Sequence, residues 1–374
     1  MCRRKFTEGS AADPAGGGYM SREAIREIFK NTGVEALFIT DPHNMWYLSG
    51  FRGGEGMVYI SPERQIVITD SRYTESASRE SSFEIIEENR HHRRTDILDE
   101  ILKEDDVHIV GYEDKFMRCF EFSRLQNRLT RVNQWMPLDE QIDAIRQVKS
   151  DEELTLIARA ESIGDEAFAA TLKTIKAGMA EREVAAELEY QLKMHGGSRL
   201  SFDTIIASGP NSSMPHAVPS ERKLAEGDFV VMDFGCKYEG YCSDMTRTIC
   251  IGGASDEQKK IYGIVQKAQQ TALDGIRAGM TGREADALAR DVITAEGYGE
   301  NFGHALGHGV GLYIHESPTL SPNDSTVLKK GMVESVEPGI YLPKKFGVRI
   351  EDLVVIGTDG VRNLSHSPKE LIEI

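Results

Sequence analysis

Hydrophobic residues in the first part of the chain fall into short runs with strand character, separated by more polar segments. These runs cover residues 34–40, 56–60, 65–69 and 107–110. A helical pattern, in which apolar residues recur every three or four positions, covers residues 94–103 and precedes the last run. Strands that alternate with helices are typical of an α/β domain, which we place at residues 19–141.

Long helical patterns replace the short strands in the next part of the chain. The spacing of apolar residues predicts helices over residues 152–175 and 182–195. Ser150 and Glu153 have the spacing of a capping box at the start of the first of these helices. The change of pattern predicts a domain boundary and a second domain over residues 142–374.

An internal repeat is present in this second domain. Residues 175–183 recur as residues 276–284, where Ile, Ala, Gly and Met are shared and are followed by Arg and Glu. Residues 224–235 match residues 328–339 at a Leu and two Gly positions, and an acidic residue is kept near the end of both. Two matches in the same order, at nearly the same offset, predict two related halves of about 100 residues each.

The composition excludes several classes of protein. The chain has 60 acidic and 44 basic residues, a formal net charge of −16, which disfavours binding to nucleic acid or an anionic membrane. No apolar run reaches the roughly 18 residues of a membrane span. The five cysteines form no Cys-x-x-Cys pair, which favours a reducing cytoplasm over a disulfide framework. Residues 1–18 are small, polar and rich in glycine, which predicts a disordered leader.

Two aspartates flank a predicted hairpin in the first half of the repeat. Asp233 lies near the end of one predicted strand and Asp244 lies in the next, equidistant from a turn centred between Tyr238 and Glu239. We expect them to face each other across the hairpin, with Cβ atoms roughly 5 Å apart. Two anions at that distance repel each other unless a proton or a cation joins them.

Two glutamates have the same arrangement in the second half. Glu337 and Glu351 are equidistant from Lys344, in a turn between two predicted strands, so they too are expected to be cross-strand partners. Two hairpins from two related halves would bring four carboxylates to one place. Four convergent carboxylates need about two divalent cations to balance their charge.

Three histidines lie within twelve residues of the second half, at His304, His308 and His315. The His-x-x-x-His spacing is that of a zinc-binding helix, but the intervening Glu is missing and four glycines disfavour a helix. A phosphate-binding loop is also disfavoured, because neither a strand-to-helix context nor a following Lys-Ser/Thr is present. The glycines around His308 instead suit a backbone that closely approaches a ligand.

Several segments together carry a specific resemblance to a known family. They are Met214-Pro215-His216, Met232-Asp233-Phe234-Gly235, residues 243–248, residues 307–311 with His315-Glu316, residues 337–341 and residues 347–352. On these segments the second domain resembles the pita-bread metallopeptidases, which comprise methionine aminopeptidase, aminopeptidase P, prolidase and creatinase. The first domain, through residues 44–51 and 69–73, is similar to the N-terminal domain of the creatinase and prolidase branch. The resemblance implies an α/β domain followed by an α+β pita-bread domain with a pseudo-twofold internal repeat.

The resemblance also implies a dinuclear metal site and assigns its residues. The implied ligands are Asp233, Asp244, His308, Glu337 and Glu351. Oxygen-rich ligation with one imidazole suits Mn²⁺, with Co²⁺, Fe²⁺ and Zn²⁺ as alternatives. By the same resemblance Glu337 helps to move the proton of the attacking water, while His304 and His315 contact the substrate and stabilise the tetrahedral intermediate. His216 and Arg349 are implied to shape the substrate side of the site.

The expected function is that of a cytoplasmic metallopeptidase, a homodimer that cleaves the Xaa-Pro bond of short peptides as a prolidase or an aminopeptidase P. A methionine aminopeptidase is disfavoured because that branch usually lacks the extra α/β domain, and a general aminopeptidase stays an alternative. A creatinase-like amidinohydrolase is disfavoured because metal-ligating residue types fill all five ligand positions. A non-enzymatic peptide-binding module of this fold is the remaining alternative, and it would be expected to have lost ligands.

Overall fold

The structure of the protein, a computed structural model, describes residues 22–374, so the expected leader at residues 1–18 lies outside the described part. The chain divides between Ile145 and Arg146 into two units, each with its own core. The boundary expected between residues 141 and 142 falls inside a helix, Asp139–Gln147, and stays a prediction.

The first unit contains one mixed six-stranded sheet. Its strands are β1 (Ala36–Ile39), β2 (Met57–Ile60), β3 (Gln65–Asp70), β4 (Glu84–Glu88), β5 (Ile109–Tyr112) and β6 (Gln134–Pro137). Its helices are α1 (Arg22–Thr32), α2 (Pro42–Ser49), α3 (Thr74–Glu80), α4 (Arg94–Glu104) and α5 (Cys119–Arg128), and α6 (Asp139–Gln147) follows at the division. The strand order is β4-β3-β2-β1-β5-β6, with β3 parallel to β4 and β5 parallel to both β1 and β6. The predicted α/β organisation is therefore confirmed.

The second unit begins with a long helix and contains several small sheets. Its helices are α7 (Asp151–Thr171), α8 (Glu181–Met194), α9 (Asp256–Gly275) and α10 (Gly282–Ala295). Its strands are β7 (Arg199–Leu200), β8 (Ile205–Ser208), β9 (Phe229–Phe234), β10 (Cys236–Tyr238), β11 (Tyr241–Cys242), β12 (Met245–Cys250), β13 (Gly307–Gly309), β14 (Glu316–Leu320), β15 (Val333–Val336), β16 (Gly339–Leu342), β17 (Phe346–Arg349), β18 (Asp352–Ile356), β19 (Val361–Asn363) and β20 (Ile372–Glu373). Two short 3₁₀ helices cover Gly209–Ser213 and Gly299–Asn301. The main sheets have the orders β20-β12-β9-β8 and β14-β13-β15-β18-β19.

Helix α7 begins with the predicted capping box, because the Ser150 side chain accepts from the Glu153 N–H and the Glu153 side chain accepts from the Ser150 N–H. The helix ends at Thr171, four residues earlier than predicted. None of the described helices has the length and apolar character to span a membrane.

The two halves of the second unit repeat one arrangement, as predicted. Each opens with a pair of helices, α7 and α8 in the first half and α9 and α10 in the second. The N–H of Gly178 donates to the carbonyl of Leu224 at 2.8 Å, and the N–H of Gly279 donates to the carbonyl of Leu328 at 2.9 Å. Gly178 and Gly279 have φ angles of +88° and +92°, a region that glycine occupies without strain. The matching glycines of the repeat therefore serve the same turn in both halves.

Candidate metal centre

The first hairpin differs from its predicted register. Asp233 in β9 lies opposite Thr246 in β12, not opposite Asp244. The turn is centred between Glu239 and Gly240, which both have positive φ angles, of +44° and +88°. Two central residues with positive φ are typical of a two-residue hairpin turn, and such a turn sets the register of the strands beside it. The predicted pairing of Asp233 with Asp244 was therefore wrong.

Asp244 nevertheless reaches the same place, at a break between β11 and β12. A Cβ on Gly235 would overlap the carbonyl oxygen of Ser243, so only glycine allows the two chains to approach this closely. The N–H of Asp244 donates to Glu161 Oε2 at 3.2 Å, which orients the backbone at the break. One carboxylate oxygen from each of Asp233, Asp244 and Glu351 lies within 4.8 Å of the other two.

The second hairpin has the predicted register. Val336 lies opposite Asp352 at one side of the glutamates, and Gly339 lies opposite Arg349 at the other. Glu337 and Glu351 fall between these ladders, in the same register, where the backbone pairing is interrupted. Interruption of the ladder frees both side chains to face the centre, and Thr246 Oγ1 donates to Glu351 Oε2 at 2.6 Å.

His308 completes the set from β13. Its Nδ1 lies 3.1 Å from the carbonyl oxygen of Gly309 and must donate to it, so Nε2 carries the free electron pair. That Nε2 is 3.5 Å from Asp244 Oδ2 and 3.5 Å from Glu337 Oε1. Ser335 Oγ accepts from the His308 N–H at 3.1 Å and donates to Glu337 Oε1 at 3.3 Å. The free electron pair of His308 Nε2 thus faces one oxygen of Asp244 and one of Glu337.

The electrostatics of the four carboxylates are unfavourable without a cation. Burial raises the pKa of Asp244 well above its usual range, and the charges of the other three carboxylates add to this effect. Burial likewise raises the pKa of Glu351 well above its usual range and that of Glu337 to about 8. Arg349 pairs with Asp233 and lies 3.9 Å from Glu337 Oε2, so this guanidinium balances at most one of the four charges.

One buried atom of the centre has no hydrogen-bond partner among the described residues. It is Asp233 Oδ1, and the burial of Asp233 raises its pKa despite the adjacent guanidinium of Arg349. A buried, unpaired carboxylate oxygen is costly unless it binds a cation or a water molecule. An excess of oxygen donors with one imidazole nitrogen is the donor set expected for divalent metal ions, and the residues present fit them.

A second chain of contacts lies beside the carboxylates. His304 Nδ1 donates to the carbonyl of Ala305 at 2.8 Å, so His304 Nε2 accepts from the Tyr341 hydroxyl at 3.0 Å. Arg349 Nη1 in turn donates to the Tyr341 oxygen at 2.8 Å. Burial lowers the pKa of His304 to about 4, so its ring is neutral near pH 7. Tyr341 was not assigned from the sequence, although its position four residues after Glu337 could have suggested a shared strand face.

The remaining two predicted site residues also lie near this centre. The ring of His315 is 4.4 Å from that of His308, centroid to centroid. His216 is exposed on the loop that follows the first 3₁₀ helix, where the carbonyl of Pro215 accepts from Arg349 Nη1 at 3.3 Å. Burial lowers the pKa of His315, and the charge of His216 lowers it further. The structure thus brings all nine predicted site residues to one region.

The cysteines near this region pack in the hydrophobic core. Cys236, Cys242 and Cys250 are all buried and free. Burial raises the pKa of the Cys236 thiol to about 12 and that of Cys242 to about 11, so both are neutral near pH 7. Neutral, buried thiols make poor ligands and nucleophiles, so these cysteines serve as packing residues.

Comparison with known proteins identifies both units. The family model of the creatinase/prolidase N-terminal domain matches residues 22–148, and that of metallopeptidase family M24 matches residues 155–358. The chain belongs to metallopeptidase family M24. The predicted enzyme class and the pita-bread fold of the second unit are thereby confirmed. Membership of this family also implies divalent metal ions, for which the buried acidic cluster is suited.

This metallopeptidase is similar to several named proteins over nearly its whole length. It is 39% identical to a Xaa-Pro dipeptidase of Pyrococcus furiosus, in an alignment that covers 94% of this chain and 99% of the relative. Among solved structures it matches a Xaa-Pro dipeptidase from Bacillus anthracis with a TM-score of 0.91 and 42% identity, covering 94% and 98% of the two chains. It also matches an X-Pro aminopeptidase from Thermotoga maritima with a TM-score of 0.88 and 37% identity, covering 94% and 100%.

Proposed function

We propose that this metallopeptidase hydrolyses the Xaa-Pro bond of short peptides at a centre of two divalent metal ions. The observation that carries the proposal is the convergence of four buried carboxylates and His308 beside a row of histidines. The names of the similar proteins, dipeptidases and an aminopeptidase that act before proline, support the choice of substrate.

We propose five residues as ligands of the metal ions: Asp233, Asp244, His308, Glu337 and Glu351. Mn²⁺ is the proposed metal, because oxygen-rich ligation with one imidazole suits it. When bound, two such ions would lower the pKa of a water molecule and polarise the carbonyl of the scissile bond. The hydrogen bonds from Thr246 to Glu351 and from Ser335 to Glu337 fix the carboxylates in the orientation that ligation requires.

The other side chains of the site would act on the peptide. Glu337 would take up the proton that the attacking water loses and return it toward the departing nitrogen. His304, held by Ala305 and Tyr341, and His315, beside His308, would contact the substrate and stabilise the tetrahedral intermediate. His216 and Arg349 would border the pocket for the residue after the scissile bond.

Proline as the residue after the scissile bond follows from the character of this pocket. The amide before proline has no N–H, and the ring is rigid, so a peptidase cannot bind this bond through an N–H contact. Imidazoles such as those of His216, His304 and His315 can pack against an apolar ring, and this contact needs no N–H on the substrate amide. Such a pocket is compatible with a rigid proline ring after the scissile bond.

The decisive experiment compares peptides that differ only at proline. With Mn²⁺ supplied, replacement of the proline by alanine is expected to lower kcat/KM at least tenfold, about 1.4 kcal/mol of transition-state discrimination. Equal turnover of both peptides would indicate a general aminopeptidase. Turnover of neither would contradict the proposal and favour a creatinase-like hydrolase or a peptide-binding module.

The preferred length of the peptide and the assembly state belong to the same proposal. A comparison of Xaa-Pro with Xaa-Pro-Yaa substrates distinguishes a dipeptidase from an aminopeptidase P. We propose that the protein acts as a cytoplasmic homodimer without nucleic-acid or membrane partners, and sedimentation of the purified chain tests the dimer.

A further inference from the structure

A buried ionic cluster lies outside the proposed metal ligands and joins Glu316 to Arg146 and Lys149. Arg146 Nη1 donates to Glu316 Oε1, and Lys149 Nζ donates to Glu316 Oε2 at 3.2 Å. The side chains of Glu316, Arg146 and Lys149 are 5%, 5% and 2% exposed. Burial alone would raise the pKa of Glu316, but the charges of Lys149 and Arg146 outweigh it and lower this pKa below its usual range. The Glu316 carboxylate is therefore ionised near neutral pH.

Glu316 directly follows His315, at the end of the loop that joins β13 to β14. The Tyr313 N–H donates to Glu316 Oε1 at 3.2 Å, and the Gly311 N–H donates to the Tyr313 carbonyl at 3.0 Å. A Cβ on Gly311 would overlap the Glu316 carboxylate, so the loop wraps closely around this group. The guanidinium of Arg146 also lies 5.6 Å from the centroid of the Tyr313 ring. The carboxylate thus organises the backbone of the loop as well as its own ion pairs.

The energetics argue against a purely stabilising role for the cluster. Taking three charged groups out of water is expensive, and replacement of buried ion pairs by apolar residues is often neutral or stabilising. An ionic cluster can instead select one conformation, because its members accept only a narrow range of geometries. The segment whose conformation is selected here carries His315, whose ring lies against that of His308.

We propose that Glu316, bound by Arg146 and Lys149, is a positioning residue that holds the His315 ring at the metal centre. The proposal rests on the proposed function, in which His315 acts on the peptide. Glu316 is not among the proposed metal ligands or substrate-contacting residues, so its effect is expected to pass through His315.

A double-mutant cycle tests this dependence. Glu316→Gln keeps the shape of the side chain and removes its charge, and it is expected to lower kcat at least tenfold with KM changed much less and with the metal content unchanged. In a His315→Ala background the same substitution is expected to change kcat less than twofold, because its target is already absent. Equal effects in both backgrounds, or loss of bound metal in Glu316→Gln, would overturn the proposal.

The matched control is Glu257→Gln. It removes an exposed ion pair in which Glu257 Oε1 lies 2.8 Å from Lys345 Nζ, and it is expected to leave kcat unchanged. Should Glu316→Gln fail to fold, Lys149→Met leaves the Arg146 contact in place and should give a smaller fall in kcat, again abolished by His315→Ala.

Amide hydrogen exchange separates failure of this proposal from failure of the proposed function. The N–H groups of Gly311 and Tyr313 should exchange at least tenfold faster in Glu316→Gln than in the parent protein, and no faster in Glu257→Gln. This measurement needs no substrate, so it remains decisive if the parent protein cleaves no Xaa-Pro peptide. Unchanged exchange at both amides would show that Glu316 does not organise the loop.

Discussion

Replacement of Asp244 by asparagine should have opposite effects on stability with and without metal. In chelator, the carboxylate of Asp244 lies among three other acidic groups and is destabilised by burial and by their charges. Asp244→Asn removes this charge and should therefore raise the melting temperature of the metal-free protein. With Mn²⁺ present the same substitution removes a proposed ligand, and the parent protein should then be the more stable of the two.

The size of the effect follows from the spacing of the carboxylates. A pair of unit charges 4.8 Å apart, the limit for Asp244 with Glu351 or Asp233, repels by about 3 kcal/mol at an effective dielectric constant of 20. Arg349 offsets the charge of Asp233, and partial protonation relieves some of the rest, so we expect a gain of about 1–3 kcal/mol. For a unit of this size that gain raises the melting temperature by about 3–10 °C. Metal at a hundredfold excess over its dissociation constant adds about 2.7 kcal/mol per site to the parent protein.

The sign of the pH dependence follows from the raised pKa. Asp244 ionises near its usual pKa of 3.8 in the unfolded chain but only at much higher pH in the native protein. Stability is therefore lost as pH rises above 3.8, and the advantage of Asp244→Asn in chelator should be larger at pH 8 than at pH 5.

Calorimetry at both pH values, in chelator and in Mn²⁺, measures these shifts, and Asp359→Asn, on an exposed turn, serves as the control. A lower melting temperature for Asp244→Asn in chelator at pH 8 would refute the reasoning, because it would mean that the chain itself stabilises the charge.

Three further predictions concern other groups. His304→Ala should keep its bound metal but slow turnover, whereas His308→Ala should lose metal, as elemental analysis can show; the reverse result would exchange their roles. Asp352→Asn should destabilise the protein to denaturant by about 3–5 kcal/mol, because Arg247, 1% exposed, loses its 2.8 Å ion pair. Arg247→Met should cost at least as much, because the guanidinium also donates to the carbonyls of Thr246, Glu351, Ser367 and Pro368, and a much smaller loss would contradict this expectation. Because burial lowers the pKa of His304 from 6.5 to about 4, its stabilising contribution is full above pH 6.5 and is lost as pH falls toward 4. At pH 5 the free energy of unfolding is lower by about 2 kcal/mol for this reason. In His304→Asn, unfolding curves measured at several pH values should not show this decrease.

The two hairpins show why one register could be predicted and the other could not. The second turn is centred on Lys344, whose φ of +66° marks the reversal, and counting outward from it gives the observed pairs. In the first hairpin the turn lies one residue later than assumed, and a shift of one residue at the turn moves every partner by two. The Glu239-Gly240 pair was the missed signal, because a two-residue hairpin turn favours glycine where φ is positive.

The contacts that orient the site were beyond sequence reasoning for a different reason. Hydrophobic periodicity and capping motifs report on neighbours in the chain, and they located strands β1, β2 and β3 and helices α4, α7 and α8. The hydrogen bond from Arg146 to Glu316 instead joins residues that are 170 positions apart. The hydrogen bond from the Asp244 N–H to Glu161 joins residues that are 83 positions apart. No local pattern marks such partners, and only the folded chain brings them together.

The repeat in the second unit bears on the direction in which a peptide can bind. Each half contributes one acidic residue before its hairpin turn and one after it, so the acids of the centre are duplicated. A peptide is not symmetric, since its amino and carboxyl ends differ. His304, His308 and His315 all belong to the second half, and residues 200–211 of the first half contain no histidine. Both halves supply acids to the centre, whereas these three histidines come from the second half alone. The two sides of the site are therefore unequal. This inequality gives the site a means to distinguish one end of a peptide from the other.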